Sequence, residues 1–451
     1  MSHFVTSRDI PAEGERLHPK KVAKLKLVSG VLALGLTVLS VILLLIPATS
    51  GAYSYSWLFA FAFFITLALG GCFWTLLHNL SNSGWGTSVR RLFENLGFVF
   101  PFMAVFAVPF LFPGIQDNLF EWFTAYREAA SAPGASMFEG FFGFYGSSSV
   151  NAELAKNADH HLMLLVNKSW YMNPVAWYAR MVFYFVALGF VIWKLRNLSV
   201  QQDTDDAPGI KRLFKARALS APFMPIFAIT ATFLAFDLLM GLDYKWFSTM
   251  WGVYFFAGCA LSSMALLILT AIVLQKMGYL KSIITEEHYH IMGKLLFAFI
   301  VFWAYVSFSQ FFLIWYSNIT EETSYFLLRN TESWHTVSLF LVFGHFGVPF
   351  LLLLNQGKKK DPKFMTAICV YVLFVHAIDV YHMVIPERGP SLSVMAGEEP
   401  RLWMPVAILG DLLAFVTVGA GFLFFYLRNL LSVNLYPNRD PRILESINVA
   451  N

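Results

Sequence analysis

The stretch Asp237-Leu-Leu-Met-Gly-Leu-Asp243-Tyr-Lys-Trp246-Phe-Ser-Thr-Met-Trp251-Gly-Val-Tyr254-Phe-Phe-Ala-Gly258 decides the fold. It joins two apolar segments, 221–241 and 249–275, by a turn of about seven residues, the length that links antiparallel neighbours in a helical bundle. Asp237 falls just inside the apolar layer and Asp243 just outside it. Tyr244, Trp246, Phe247 and Trp251 crowd the turn as aromatic residues do at a lipid–water boundary.

Outward from this turn the pattern repeats. The chain has 451 residues, of which 57% are hydrophobic and 13% charged, and its mean hydropathy is +0.59; no soluble domain hides that much apolar surface. Runs of the roughly 20 residues needed to cross about 30 Å of hydrocarbon lie at 27–47, 55–79, 92–113, 174–195, 221–241, 249–275, 294–316, 336–355, 364–386 and 402–427. The expectation is an all-α polytopic membrane protein of ten transmembrane helices, with tails at 1–26 and 428–451 and one long loop at 114–173. Most Lys and Arg residues lie in the tails and in the loops after even-numbered spans, so the positive-inside rule puts both termini in the cytoplasm and the Asp243 turn outside. A formal net charge of +4 reflects that bias and gives no case for nucleic acid binding.

The first apolar run exceeds a signal-peptide core and is expected to be retained. Pro101 and Pro109 should break the third span, while Gly70-Gly71-Cys72 offers a smooth patch for a close helix neighbour. A Gly-Ala-Tyr-Ser-Tyr-Ser turn, 51–56, is expected between the first two spans, and an amphipathic helix at 117–130 to lie in the membrane interface. Short matches hint at an internal repeat: Ala235-Phe236-Asp237-Leu238 echoes Ala377-Ile378-Asp379-Val380, and Gly71-Cys72 echoes Gly258-Cys259. They suggest two parallel four-helix units, spans 2–5 (55–241) and 6–9 (249–386), flanked by spans 1 and 10.

The three cysteines, Cys72, Cys259 and Cys369, each fall within a span, and no Cys-x-x-Cys occurs. Covalent haem, iron–sulfur clusters and structural zinc therefore have no ligand set here. Asp159-His160-His161 lacks a third convergent ligand, so no metal site is expected.

Ionisable groups inside spans are functional candidates because facing lipid would cost several kcal/mol. At about 1.5 Å per residue, Asp237 and His382 lie roughly 6 Å from the outer end of their spans, Arg180, Gln310 and Asp379 roughly 9–10 Å, and His345, His376 and Asp411 about 14–15 Å. Glu94 sits at the cytoplasmic start of the third span beside Arg90 and Arg91, where the helix dipole favours it. The asymmetry suggests an outward cavity narrowing to a relay of His345, His376 and Asp411. Asp379 and His382 continue the face of His376 at i, i+3 spacing. The structural alternative is an interhelical polar network, such as Arg180 paired with Asp237.

The pattern Asp237…Leu242-Asp243-x-x-Trp246-Phe247-Ser248-Thr249-x-x-Gly252-Val253-Tyr254 resembles the NrfD-like (polysulfide-reductase membrane subunit) family. Within it, the pattern is similar to the membrane subunits of bacterial alternative complex III, the quinol:cytochrome c oxidoreductases. The likeness in helix order spans about residues 25–430. It implies a subunit of the inner membrane without a redox cofactor of its own, with menaquinol bound near the outer surface. It also implies outer-side partners carrying iron–sulfur clusters and haem c, a second NrfD-like membrane subunit, and proton half-channels. The turn motif carries the quinol role onto Asp237 and Asp243, with Trp246, Tyr254 and His382 beside them as quinol contacts; depth and the repeat alone add Asp379 and His376 to Asp237 for acid–base work, and His345 and Asp411, with Arg180 and Glu94, for the proton path. Two other classes stay open: a stand-alone secondary transporter, which calls for interrupted helices, and a b-haem cytochrome built on His345 and His376.

Overall fold

A computed structural model of the chain describes residues 5–6, 9–11, 13–130, 160–204, 210–396 and 405–450. The described residues are helical, with no β-strand among them. Among the described residues, ten helices are long and apolar enough to cross a membrane: α1 Pro19–Leu45, α2 Pro47–Ser81, α3 Arg90–Leu111, α4 Pro174–Gln202, α5 Ile210–Leu242, α6 Trp251–Lys276, α7 Glu286–Ser317, α8 Trp334–Leu353, α9 Pro362–Gly389 and α10 Ala407–Leu431. Several run past the apolar stretch that announces them, because a helix continues into polar sequence as long as its backbone hydrogen bonds do.

α2 is the central post, packed against α3, α5, α6, α9 and α10. Small residues permit this. A Cβ on Gly70 would strike the Cys259 carbonyl and Ser263 of α6, and one on Gly71 would strike the Gly97 backbone of α3. The expected smooth patch thus serves two neighbours at once. The expected turn at 51–56 does not form. Ile46 alone is extended, Pro47 occupies the first turn where its missing N–H costs nothing, and α2 runs from there through the buried Tyr53–Ser56.

α3 is broken as its prolines require, into Arg90–Gly97, Phe100–Ala107 and a 3₁₀ turn, Val108–Leu111. A second irregularity carries no proline signature within it: α8 contains a π-helical segment, Leu341–Gly347, of the kind often found at functional sites. The 117–130 segment forms two short helices, Pro113–Leu119 and Glu121–Ala130. Phe120, Trp122, Phe123 and Tyr126 are buried against the bundle, so this segment closes one end of the protein instead of lying on lipid. Gly134–Ser149 falls outside the described residues, as do the side chains of Asp159-His160-His161.

The tails fold onto the opposite end. Leu17 and Tyr436 are buried, Arg16 pairs with Asn434 in an isolated β-bridge, and Glu15 accepts from the Leu280 N–H at 2.6 Å. Two ends are therefore distinguishable, one carrying the Asp243 turn and one carrying both tails. Because Gly70 touches α6 backbone, Gly70→Val should destabilise the bundle by on the order of 1–3 kcal/mol or more. Gly35→Val, where an added Cβ meets nothing within 4 Å, should be silent; thermal unfolding of the two purified variants in detergent checks both.

Candidate functional site

Burying a carboxylate demands compensation, and the bundle supplies it in a consistent way. Asp237 on α5 is clamped by Arg180 of α4, whose Nη2 and Nε donate at 2.7 and 2.9 Å, and by the Tyr184 hydroxyl at 2.7 Å. Asp411 on α10 takes the Arg388 Nη1 at 2.8 Å, the Ser56 hydroxyl at 2.6 Å and the Tyr381 hydroxyl at 2.8 Å. Glu94 meets Arg90 at 2.8 Å and Arg91 at 3.3 Å, and Arg90 also reaches Asp440 of the C-terminal tail at 3.1 Å. The half-buried Glu387 pairs with Arg329 at 2.9 Å.

Asp379 differs. Fully buried on α9, it accepts from the Tyr254 hydroxyl of α6 and, at 3.0 Å, from the Trp303 indole N–H of α7. Both donors are neutral, and no arginine or lysine pairs with it among the described residues. Instead two imidazoles face it. His376 Nδ1 lies 3.8 Å from Asp379 Oδ2, too far for a hydrogen bond. His345, presented by the π segment, stacks on Trp303 with ring centroids 3.9 Å apart. One ligand atom from each of His345, His376 and Asp379 lies within 4.8 Å of the others. Both nitrogens of His345 and Nδ1 of His376 are buried without a hydrogen-bond partner. His376 Nε2 rests 3.1 Å from Thr66 Oγ1 of α2, and its ring is admitted by Gly258, where a Cβ would come within 2.7 Å of His376 Cε1. A metal-like donor cluster therefore exists where sequence reading expected none; its members lie on two helices.

A separate cavity of about 240 Å³ opens at the Asp243 end. Asp237, Asp243, Arg180 and Trp246 line it, with Tyr171, Phe247 and Trp122 among its aromatic walls. Its volume falls below the roughly 300 Å³ at which sites for drug-sized ligands begin. Arg180 lies over the Tyr171 ring at 3.9 Å. Lys168 spans the rim to donate to the Tyr244 carbonyl at 2.7 Å; burial lowers its affinity for the proton, against the pull of Asp243. From Trp246 the wall continues inward through Trp251, at 5.4 Å, and Tyr254, at 5.7 Å from Trp251, to the hydroxyl that holds Asp379.

The expected residues thus separate into groups. Asp237, Arg180, Asp243 and Trp246 meet at the cavity; His345, His376, Asp379 and Tyr254 meet in the core. Asp411 does not join the histidines but stands with Arg388. His382, although three residues from Asp379, turns to Ser338 at 3.0 Å and packs on Trp334. Glu94 is locked between arginines at the tail end. Sequence reading did not single out Thr66, Trp303 or Arg388. The first two are neutral residues in apolar runs, and Arg388 lies just past the apolar stretch of α9.

No protein-family model matches this chain, and no curated protein matches it. The pairing of Asp411 gives a direct test: Arg388→Ala should cost about 3–5 kcal/mol by stranding a buried charge, and Arg388→Ala/Asp411→Asn should recover part of that loss. Equal unfolding temperatures for the single and double variants would show that the pair is not the source.

Proposed function

We propose that this integral membrane protein is a subunit of a respiratory quinol oxidoreductase, binding quinol at the Asp243-end cavity and receiving its protons at the His345–His376–Asp379 nest. The observation that carries this reading is the carboxylate without a fixed cation, joined by a continuous aromatic wall to a cavity with a charged lining. Oxidising a quinol removes two electrons and two protons. The electrons require an acceptor, in this reading haem c or iron–sulfur subunits docked at the Asp243 end, beside a second membrane subunit of the same kind. The protons require bases, and fixed charge decides which groups serve.

Asp237 already accepts from a guanidinium and a tyrosine, which occupy its oxygens. Its role is to orient Arg180 and Tyr184 at the cavity wall, where neutral and charged donors can hold the quinol oxygens. Asp379 lacks such a cation, so a positive charge arriving beside it gains Coulombic energy in a medium of low dielectric. Histidine suits this task because its charge changes near neutral pH. Tyr254, hydrogen-bonded to Asp379 and packed on Trp251, is the link from the wall to the nest. The NrfD-like resemblance of the 237–254 turn supports the same role, with menaquinol as the substrate.

A secondary transporter is the second reading. The breaks in α3 and the π segment of α8 favour it, since interrupted helices mark transport sites. A b-haem has weaker support, because His345 stacks on Trp303 where a porphyrin would need a slot. Purification in mild detergent, with subunit identification and quinone extraction, separates the three: menaquinone together with haem- and cluster-bearing subunits supports the proposal, and a quinone-free lone chain overturns it. Asp379→Asn and His376→Ala should each lower quinol oxidation by about 10²-fold or more in an assembled protein; wild-type turnover in both would refute the role of the nest.

A further inference from the structure

Three donor side chains from two helices converge in the core. Asp379 Oδ2 and His376 Nδ1 stand 3.8 Å apart, and one nitrogen of His345 completes a set whose members all lie within 4.8 Å of one another. Both nitrogens of His345 and Nδ1 of His376 are buried without a hydrogen-bond partner, at a cost in free energy for each. Buried Glu94, Asp237, Asp411 and Asp440 each have an arginine. Asp379 pairs with no arginine or lysine among the described residues, so three orphaned lone-pair atoms surround a carboxylate without a counter-charge. A bound cation would satisfy all four groups at once.

The surroundings of these donors are arranged as those of metal ligands are. A ligating imidazole gives its other N–H to a neighbouring acceptor, which fixes the ring and leaves the ligating nitrogen bare. Thr66 does this for His376. Its Oγ1 lies 2.6 Å from the Phe63 carbonyl oxygen, which can only accept, so the hydroxyl hydrogen points there. Towards His376 Nε2, at 3.1 Å, the same oxygen accepts, and in the neutral ring Nδ1 carries the free lone pair. Tyr254 and Trp303 hold the carboxylate, one on each oxygen, and each oxygen keeps a second lone pair. Donors around a tetrahedral zinc stand about 3.3 Å apart, at bond lengths of about 2.0–2.1 Å. His345, which no hydrogen bond tethers, closes the set by sliding over the Trp303 face.

Two imidazoles and one carboxylate suit a borderline ion of the first transition row, whereas calcium and magnesium take oxygen ligands. Three protein donors leave a fourth position for water. We infer that the nest binds one divalent ion of the zinc class through His345, His376 Nδ1 and Asp379, with Thr66 as the residue that positions His376. The site stands on its geometry alone; its consequence rests on the proposed function. An ion on these donors occupies the lone pairs that receive the protons of quinol, so the bound metal inhibits quinol oxidation.

The test adds zinc ion to the protein purified with the subunits that accompany it and stripped with a chelator. The wild type should retain an equivalent of zinc through desalting that His345→Ala and Asp379→Asn both lose. X-ray absorption at the zinc edge, which needs no variant, should show nitrogen and oxygen neighbours at about 2.0–2.1 Å, two of them imidazoles. Thr66→Val should bind zinc roughly 10- to 100-fold more weakly, the cost of removing an outer hydrogen-bond partner, with Thr66→Ser near wild type. No zinc retained by the wild type overturns the inference, as does an equivalent kept in both His345→Ala and Asp379→Asn, or a zinc shell with fewer than two imidazoles. Unchanged affinity in Thr66→Val removes the positioning role of Thr66. Quinol turnover of the same samples separates this inference from the functional reading. Zinc should abolish wild-type turnover in proportion to its occupancy; an ion bound at the nest with turnover unchanged would leave the site standing and remove the nest's role in quinol oxidation.

Discussion

A carboxylate carried into an apolar bundle has to find its counter-charge inside the protein, and this requirement orders the structure. Arg180 and Asp237 tie α4 to α5, Arg388 and Asp411 tie α9 to α10, and Arg91 meets Asp203 at 3.0 Å to tie α3 to the end of α4. Through Arg90 and Asp440 the C-terminal tail is drawn onto α3. Each pair is costly to break because its partner would be left charged and buried. Asp379 stands out against that regularity. Its helix is fastened to α6 and α7 by a tyrosine and a tryptophan, which orient the carboxylate without cancelling its charge. Where the others are structural by virtue of their arginines, this one remains chemically open.

The packing serves that exception. Gly258 removes the side chain that would displace His376, the π segment of α8 turns His345 inward, and Trp303 both stacks on His345 and donates to Asp379. Helices α2, α6, α7, α8 and α9 all contribute, so the nest exists only in the assembled bundle. At the Asp243 end the Glu121–Ala130 helix adds Trp122 to the cavity and Glu121 to an ion pair with Lys245 at 3.1 Å. The loop that follows α3 thus acts as part of the site's wall.

Much of this architecture was legible in the residues. Ten apolar runs marked ten helices because a membrane imposes a length that composition can reveal, and Pro101 and Pro109 marked the breaks in α3 because proline lacks a donor. The polar residues were legible one by one, but their grouping was not. Asp411 shares a depth with His345 and His376, yet depth is only one coordinate on a helix. The angle about the axis is set by packing, and that angle sends Asp411 to Arg388. The same reason sends His382 to Ser338. Arg388 escaped notice because the apolar run ends before it while the helix continues. Thr66 and Trp303 escaped because their role lies in hydrogen-bond direction, which spacing does not encode. The pairing of Arg180 with Asp237 was foreseeable, since the two sit at similar depth on consecutive antiparallel spans.

If the proposed function holds, the uncompensated Asp379 makes the nest the group that changes protonation when quinol is oxidised. Infrared difference spectroscopy of the intact assembly, recorded between its quinol-reduced and oxidised states with ¹⁵N-labelled histidine, measures this directly. The proposed function predicts imidazole bands that shift with the label and vanish in Asp379→Asn. Oxidation of quinol at full rate with no histidine bands in the difference spectrum would contradict it.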